Sequence, residues 1–161
     1  MRKPTSSLDA YDHCLRGIAV FSAEPSEAGR KALTHFYRAI ELDPDYAEAH
    51  GYAAMCFVWR KIASSKPLSP EELAEAERLA RRAAELGRTN DIALALAGNT
   101  LSYVLGDIRS GTDLTQRALD LNPNSAHGWL SESWNKHWNG EFDAAIESCR
   151  RAMRLSPQDS V

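Results

Sequence analysis

Residues 129–138 read "WLSESWNKHW" and hold three of the chain's four tryptophans and one of its five histidines. Indole and imidazole rings at that density can grip a partner, ligate a metal, move a proton or fill a helix interface. Each use demands its own spacing. A shared metal ion on a helix wants ligands four residues apart, whereas His127 and His137 lie ten apart, roughly 15 Å at about 1.5 Å per residue. The other histidines (His13, His35, His50) fall in separate stretches. Cys14, Cys56 and Cys149 are odd in number and form no C-x-x-C pair. They are expected as small, largely buried residues of a reducing compartment, not as a zinc site or disulfide scaffold.

Nucleophilic catalysis needs a nucleophile, a base and an orienting group, and no local signature of that kind is present. "GRTND" (87–91) and "LGDIRSGTD" (105–113) lack the Lys-Ser/Thr ending of a phosphate-binding loop. The carboxylates of "EELAEAER" (71–78) have the spacing of a solvated helix face. No catalytic residue, no cofactor and no metal ligand is therefore expected, and the aromatic stretch is left to recognition or packing.

The bulk properties narrow the setting. The 161 residues suffice for one domain, and 43% hydrophobic with 25% charged residues is ordinary for a globular chain. A net charge of −3 without a basic cluster points away from nucleic acid. The longest apolar runs are a few residues, so no membrane segment is expected. The opening "MRKPTSSLDAYDH" has no apolar stretch behind its basic residues and is not a secretion signal. A cytoplasmic location is the expectation.

Internal repetition supplies the elements that carry these residues. "YRAIELDPDYAEAHGYAA" (37–54), "QRALDLNPNSAHGWLSES" (116–133) and "RRAMRLSPQDS" (150–160) are variants of one unit. Ala118, Leu121 and Pro123 recur 34 residues later as Ala152, Leu155 and Pro157, and Gly106 recurs as Gly140. Ala39, Leu42 and Pro44 precede the first set by 79, so about eleven residues are extra, ten of them near "KIASSKPLSP" (61–70). First helices are predicted near 8–21, 46–60, 91–105 and 125–139, and second helices near 27–41, 70–86, 108–121 and 142–155. In "SPEE" (69–72) Ser69 can cap, Pro70 fits the first turn and Glu72 can complete a capping box. Pro44, Pro123 and Pro157 end second helices, and the insertion is read as a solvated loop inside the second hairpin.

A period of 34 with the pattern W-x2-L-G-x2-Y, A-x3-F and P resembles the tetratricopeptide repeat. Ala32, Phe36, Ala39 and Pro44 match it, as do Trp129, Gly140, Ala145, Ala152 and Pro157. Glu132-Ser133 and Gly98-Asn99 stand where Leu-Gly is expected, and Thr115, Ala80 and Cys149 replace the aromatic. The resemblance implies an all-α, right-handed α-solenoid of about four helix-turn-helix hairpins: 8–44, 46–90 with the insertion at 61–70, 91–124 and 125–159. Ala32, Ala76, Gly111 and Ala145 would let the paired helices approach. First helices would line an inner groove that binds a protein or peptide.

The helical register then assigns the groove. From the second repeat it takes Glu48, Gly51, Met55 and Trp59. From the third it takes Leu96, Thr100 and Tyr103, with Asn99 at the edge. From the fourth it takes His127, Leu130, Trp134 and His137. Trp129 occupies the hairpin-packing position, and Trp138 is open between groove and packing. Gly51, Met55, Leu96 and Thr100 stand where a carboxylate clamp would need Lys and Asn, so no clamp is expected. Glu132 either turns to solvent or pairs with Arg150 or Arg151.

The stretches "LDAYDHCLRG", "AIELDPDYAEAHGYAA", "ALDLNPNSAHGW" and "MRLSPQD" are also similar to bacterial repeats that follow class III adenylate cyclase or winged-helix regulator domains. That resemblance implies the sensory or partner-binding part of a larger signalling protein, with a catalytic cyclase domain preceding a segment that is itself no enzyme. The last helix has no polar cap over Ile146, Cys149 and Met153, which predicts further repeats or self-association through this end. A structural oligomerisation module with an empty groove is the alternative, and an enzyme or small-molecule sensor ranks third.

Overall fold

The computed structural model describes residues 5–23, 28–64 and 66–156, and among them every regular element is a helix. In chain order these are α1 (Leu8–Ala23), α2 (Ala28–Leu42), α3 (Ala47–Ala63), α4 (Pro70–Leu86), α5 (Asp91–Tyr103), α6 (Ile108–Leu121), α7 (Ala126–Trp138) and α8 (Phe142–Leu155). Consecutive helices pair as antiparallel hairpins, and the first helices α3, α5 and α7 pack side by side. Each second helix then packs against the first helix of the next hairpin. The arrangement is an all-α solenoid, with the first helices forming its continuous layer.

Local chemistry sets the helix ends. Ser69 and Glu72 close the capping box of α4, with Pro70 at its first position. Asn90, Asp107 and Ser125 accept from the third backbone N–H of α5, α6 and α7 in the same way. Gly106 and Gly140, the pair repeated at 34 residues, are the two described residues with positive φ, +72° and +79°. Each turns the chain from a first helix to a second, where a side chain would strain the left-handed backbone. Pro157, expected to end α8, lies outside the described residues. The insertion is shorter as a loop than expected, because α3 runs on to Ala63 and absorbs its first residues.

Small residues bring the helices together. Ala32 and Ala76 are fully buried, and Ala145 nearly so. The tightest approach is between α5 and α6, where a Cβ on Gly98 would stand 2.7 Å from the Gly111 carbonyl oxygen. Gly98, a departure from the repeat pattern in sequence, is thus half of a glycine–glycine backbone contact. Cys14 and Cys56 are buried, which pushes their thiols up to about 11 and about 12, so neither is a nucleophile near neutral pH.

One conserved geometry links distant hairpins within this chain. The Trp129 indole N–H donates to the Pro123 carbonyl at 2.8 Å, and His50, 79 residues earlier, donates through Nε2 to the Pro44 carbonyl at 3.0 Å. Each ring ties its first helix to the turn before it. The His50 ring is buried with no partner at Nδ1, and desolvation holds its pKa below the ordinary value, with Arg78 and Arg82 adding to the effect. A depressed folded-state pKa means that the unfolded chain binds the proton first. Stability from this site is therefore full above about pH 6.5 and falls below it, by at most about 1.4 kcal/mol per pH unit. Thermal melts from pH 7.5 to 5.5 are expected to show that loss in the wild type and a shallower one in His50→Gln.

A candidate partner-binding surface

The aromatic stretch divides by helix face. On one face of α7, Asn135 is buried among three helices. Its Oδ1 accepts from Ser102 Oγ of α5 at 2.9 Å, and its Nδ2 donates to Thr115 Oγ1 of α6 at 3.1 Å. Thr115 Oγ1 in turn donates to the Gly111 carbonyl at 2.9 Å. This closed network fixes the rotation of α7, and with it the direction of the neighbouring Trp134 and Trp138. Trp129 points elsewhere: half-buried, it lies under the Arg151 guanidinium of α8, 4.1 Å from the ring centroid.

Trp134 and Trp138 stack at 6.2 Å with their planes 21° apart, and remain 37% and 42% exposed. Tyr103 of α5 meets them at 6.4 and 5.5 Å. His137 stands edge-on to both indoles, and Phe142 of α8, 60% exposed, extends the row 5.6 Å beyond His137. At the opposite edge Lys61 places its ammonium 4.9 Å from the Tyr103 ring centroid. The same ammonium donates to the Tyr103 carbonyl at 2.6 Å, near the negative end of α5. The result is a contiguous, solvent-facing aromatic surface drawn from α5, α7 and α8, bounded by a cation.

The other residues assigned to the groove are distributed differently. Thr100 is fully buried, and Leu96, Asn99 and Met55 are also in the interior, so none of them is offered to a ligand. The reason lies in α5: covered by α3, α6 and α7, it is buried continuously from Ala93 to Ser102. Gly51 belongs to that contact, since a Cβ there would stand 3.2 Å from the Leu96 side chain. The unbroken apolar run "IALALAG" (92–98) carries the signal for a helix without a free face.

Glu48 is half-buried and accepts from Asn90 Nδ2 at 2.8 Å; burial raises its pKa, with the Asn90 bond opposing. His127 meets Tyr52 of α3 edge-on, Nε2 3.3 Å from the phenol oxygen. Tyr52 and His127 thus join the second hairpin to the fourth across α5. Trp59 and Leu130 are half-buried. Glu132 pairs with neither Arg150 nor Arg151 but with Lys136, one turn along its own helix at 3.3 Å. Trp138 joins the aromatic surface, and Phe142 and Lys61 are members that the sequence reading did not single out.

Among the described residues no three His, Cys, Asp or Glu side chains stand close enough to hold an ion, and no helix is long and apolar enough to cross a membrane. No protein-family model and no curated protein matches the sequence. Solved structures do. A crystal structure of MamA aligns over 93% of this chain and 80% of its own, at 15% identity and a TM-score of 0.56. The MamA RS-1 ArsTM double mutant aligns over 99% and 80%, at 19% identity and 0.54. MamA MSR-1 C2 aligns over 95% and 80%, at 19% identity and 0.51. Likeness at such identities is likeness of fold.

Proposed function

We propose that this chain is a tetratricopeptide-type interaction module that binds a protein or peptide through the aromatic surface of Tyr103, Trp134, His137 and Trp138. The carrying observation is the exposure of two stacked indoles on a scaffold whose rotation is fixed by the buried Asn135 network. Tryptophan and tyrosine dominate the energetics of protein interfaces, and a contiguous aromatic patch of this kind is uncommon on a surface with no binding role. Lys61 at the margin suits a ligand with a carboxylate or carbonyl next to its apolar anchor. The sequence likeness to repeats that follow cyclase and winged-helix domains supports a regulatory setting in a bacterial signalling protein, with the segment itself acting by binding.

Panning a random peptide display library against the 161-residue chain tests the reading. Enriched peptides are expected to bind the Trp134→Ala/Trp138→Ala double variant at least ~30-fold more weakly, about 2 kcal/mol. Because Trp134 and Trp138 lie on the exposed side of α7, away from the buried Asn135 network, the melting temperature is expected to move by only a few degrees. A large loss of thermal stability with unchanged affinity would assign the indoles to packing instead.

A further inference from the structure

The aromatic surface is one-sided in the hydrogen bonds it offers, which restricts what can lie against it. Of the three indoles of α7, Trp129 uses its N–H within the protein, on the Pro123 carbonyl, whereas those of Trp134 and Trp138 have no partner among the described residues. Lys61 donates to the Tyr103 and Val104 carbonyls at 2.6 and 3.5 Å. An ammonium carries three N–H groups, so one remains free. Lys61 also meets no carboxylate among the described residues, while the adjacent Arg60 pairs with Glu72.

The backbone acceptors beside this surface are already engaged. At the end of α5 the Leu101 and Ser102 carbonyls accept from the Asp107 and Gly106 amides. At the end of α7 the Lys136 and His137 carbonyls accept from the Glu141 and Gly140 amides. Among the side chains that form the surface, only the Tyr103 phenol and one imidazole nitrogen of His137 can accept. An ordinary peptide laid across it brings a backbone N–H at every residue, and a covered N–H without an acceptor is costly. Proline has no N–H, keeps its carbonyl for the indole and ammonium donors, and presents a compact apolar ring to the aromatic faces. Tyr103, Trp138, His137 and Phe142 follow one another at 5.5, 5.2 and 5.6 Å, a row of at most about 16 Å, or about five residues of polyproline II at about 3.1 Å each.

We infer that the segment bound here is a proline-rich stretch in the polyproline II conformation, with a carboxylate at the end that meets Lys61. This ligand class rests on the partner-binding reading and deepens it. Such a segment is extended before it binds, so little chain entropy is lost on docking. Lys61 lies beside Tyr103 at one end of the row, so the charge also fixes which end of the segment lies over α5.

Four end-blocked peptides test this on the 161-residue chain: hexaproline, hexaproline with an aspartate before it, hexaproline with an aspartate after it, and an alternating Ala-Ser hexapeptide. Binding is read from the Trp134 and Trp138 indole N–H resonances. The proline peptides are expected to move both, and to bind at least ~10-fold more tightly than the Ala-Ser peptide. One of the two aspartate peptides should gain about 3-fold over hexaproline. Lys61→Gln should lose that gain while binding hexaproline as the wild type does, which also shows that the variant is folded. Equal affinity for proline and Ala-Ser peptides would overturn the inference and leave the partner-binding reading standing. So would proline peptides that leave both indoles unmoved while display-selected peptides shift them. An absent aspartate gain, or one that survives Lys61→Gln, would overturn the place given to the carboxylate. Should display-selected peptides leave the indoles unmoved as well, the binding reading falls and the ligand class with it.

Discussion

Asn135→Ala is expected to destabilise the chain by roughly 2–4 kcal/mol, the joint cost of a cavity, an orphaned Ser102 hydroxyl and a Thr115 hydroxyl left with only its bond to the Gly111 carbonyl in a buried interface. For a chain of this size that corresponds to a fall in Tm of about 5–15 °C. Ser102 loses its acceptor, and Thr115 loses the amide that donates to it. The damage should be uneven. Stability in a repeat array is close to a sum of hairpins and their nearest-neighbour contacts, so α7 and α8 should lose amide-exchange protection before α3 and α4 do. The substitution also frees the rotation of α7, and the Trp134–Trp138 pair should lose its fixed orientation although neither indole is changed. Uniform loss of protection along the chain would mean that Asn135 does not pin the third hairpin to the fourth.

Gly111→Val is the second large effect. A Cβ at this position would stand 2.5 Å from the Gly98 carbonyl oxygen and 3.0 Å from the Ser102 amide nitrogen, and would press on Ser102 Oγ. Two of these are backbone or backbone-tethered groups inside a helix and cannot swing aside. The expected cost is about 3 kcal/mol, the upper end of overpacking, measurable as a shift in the urea midpoint with little change in slope. Gly29→Ala is the control. Its Cβ would meet nothing nearer than the Cys56 carbonyl oxygen at 4.0 Å. It should therefore be neutral or stabilising by about 0.5–1 kcal/mol, since alanine favours the helix. Gly111→Val and Asn135→Ala share Ser102 and Thr115 as neighbours, so their effects should not add.

The repeat periodicity made the helices legible, and the reasons are local. Capping serine, first-turn proline and turn glycine act within a few residues, so α4, α6 and α8 begin and end where the pattern places them. Small residues at fixed positions likewise announced the close helix pairs. What the pattern could not carry was the burial of α5. The groove register assumes that every first helix keeps a free side, whereas α5 is buried from Ala93 to Ser102, which places Leu96, Asn99 and Thr100 in the interior and leaves Tyr103 at the helix end partly exposed.

The aromatic surface was half visible for a related reason. Trp134 and His137 follow from spacing on one helix. Phe142 and Lys61 join them only through packing between helices, which no window on a single helix reports. The partner of Glu132 was within reach of a local rule, since Lys136 is four residues on. His50 shows the reverse: its role matches that of Trp129, but the two residue types differ so much that only the shared 79-residue offset connects them.

The most direct test of the binding reading uses the four indole N–H resonances of the isotope-labelled chain during titration with a display-selected peptide. Trp134 and Trp138 are predicted to shift or broaden on addition, with Trp129 and Trp59 little changed, and no response is expected from the Trp134→Ala/Trp138→Ala variant. Shifts confined to Trp129 or Trp59, or tight binding that leaves Trp134 and Trp138 unmoved, would contradict the account.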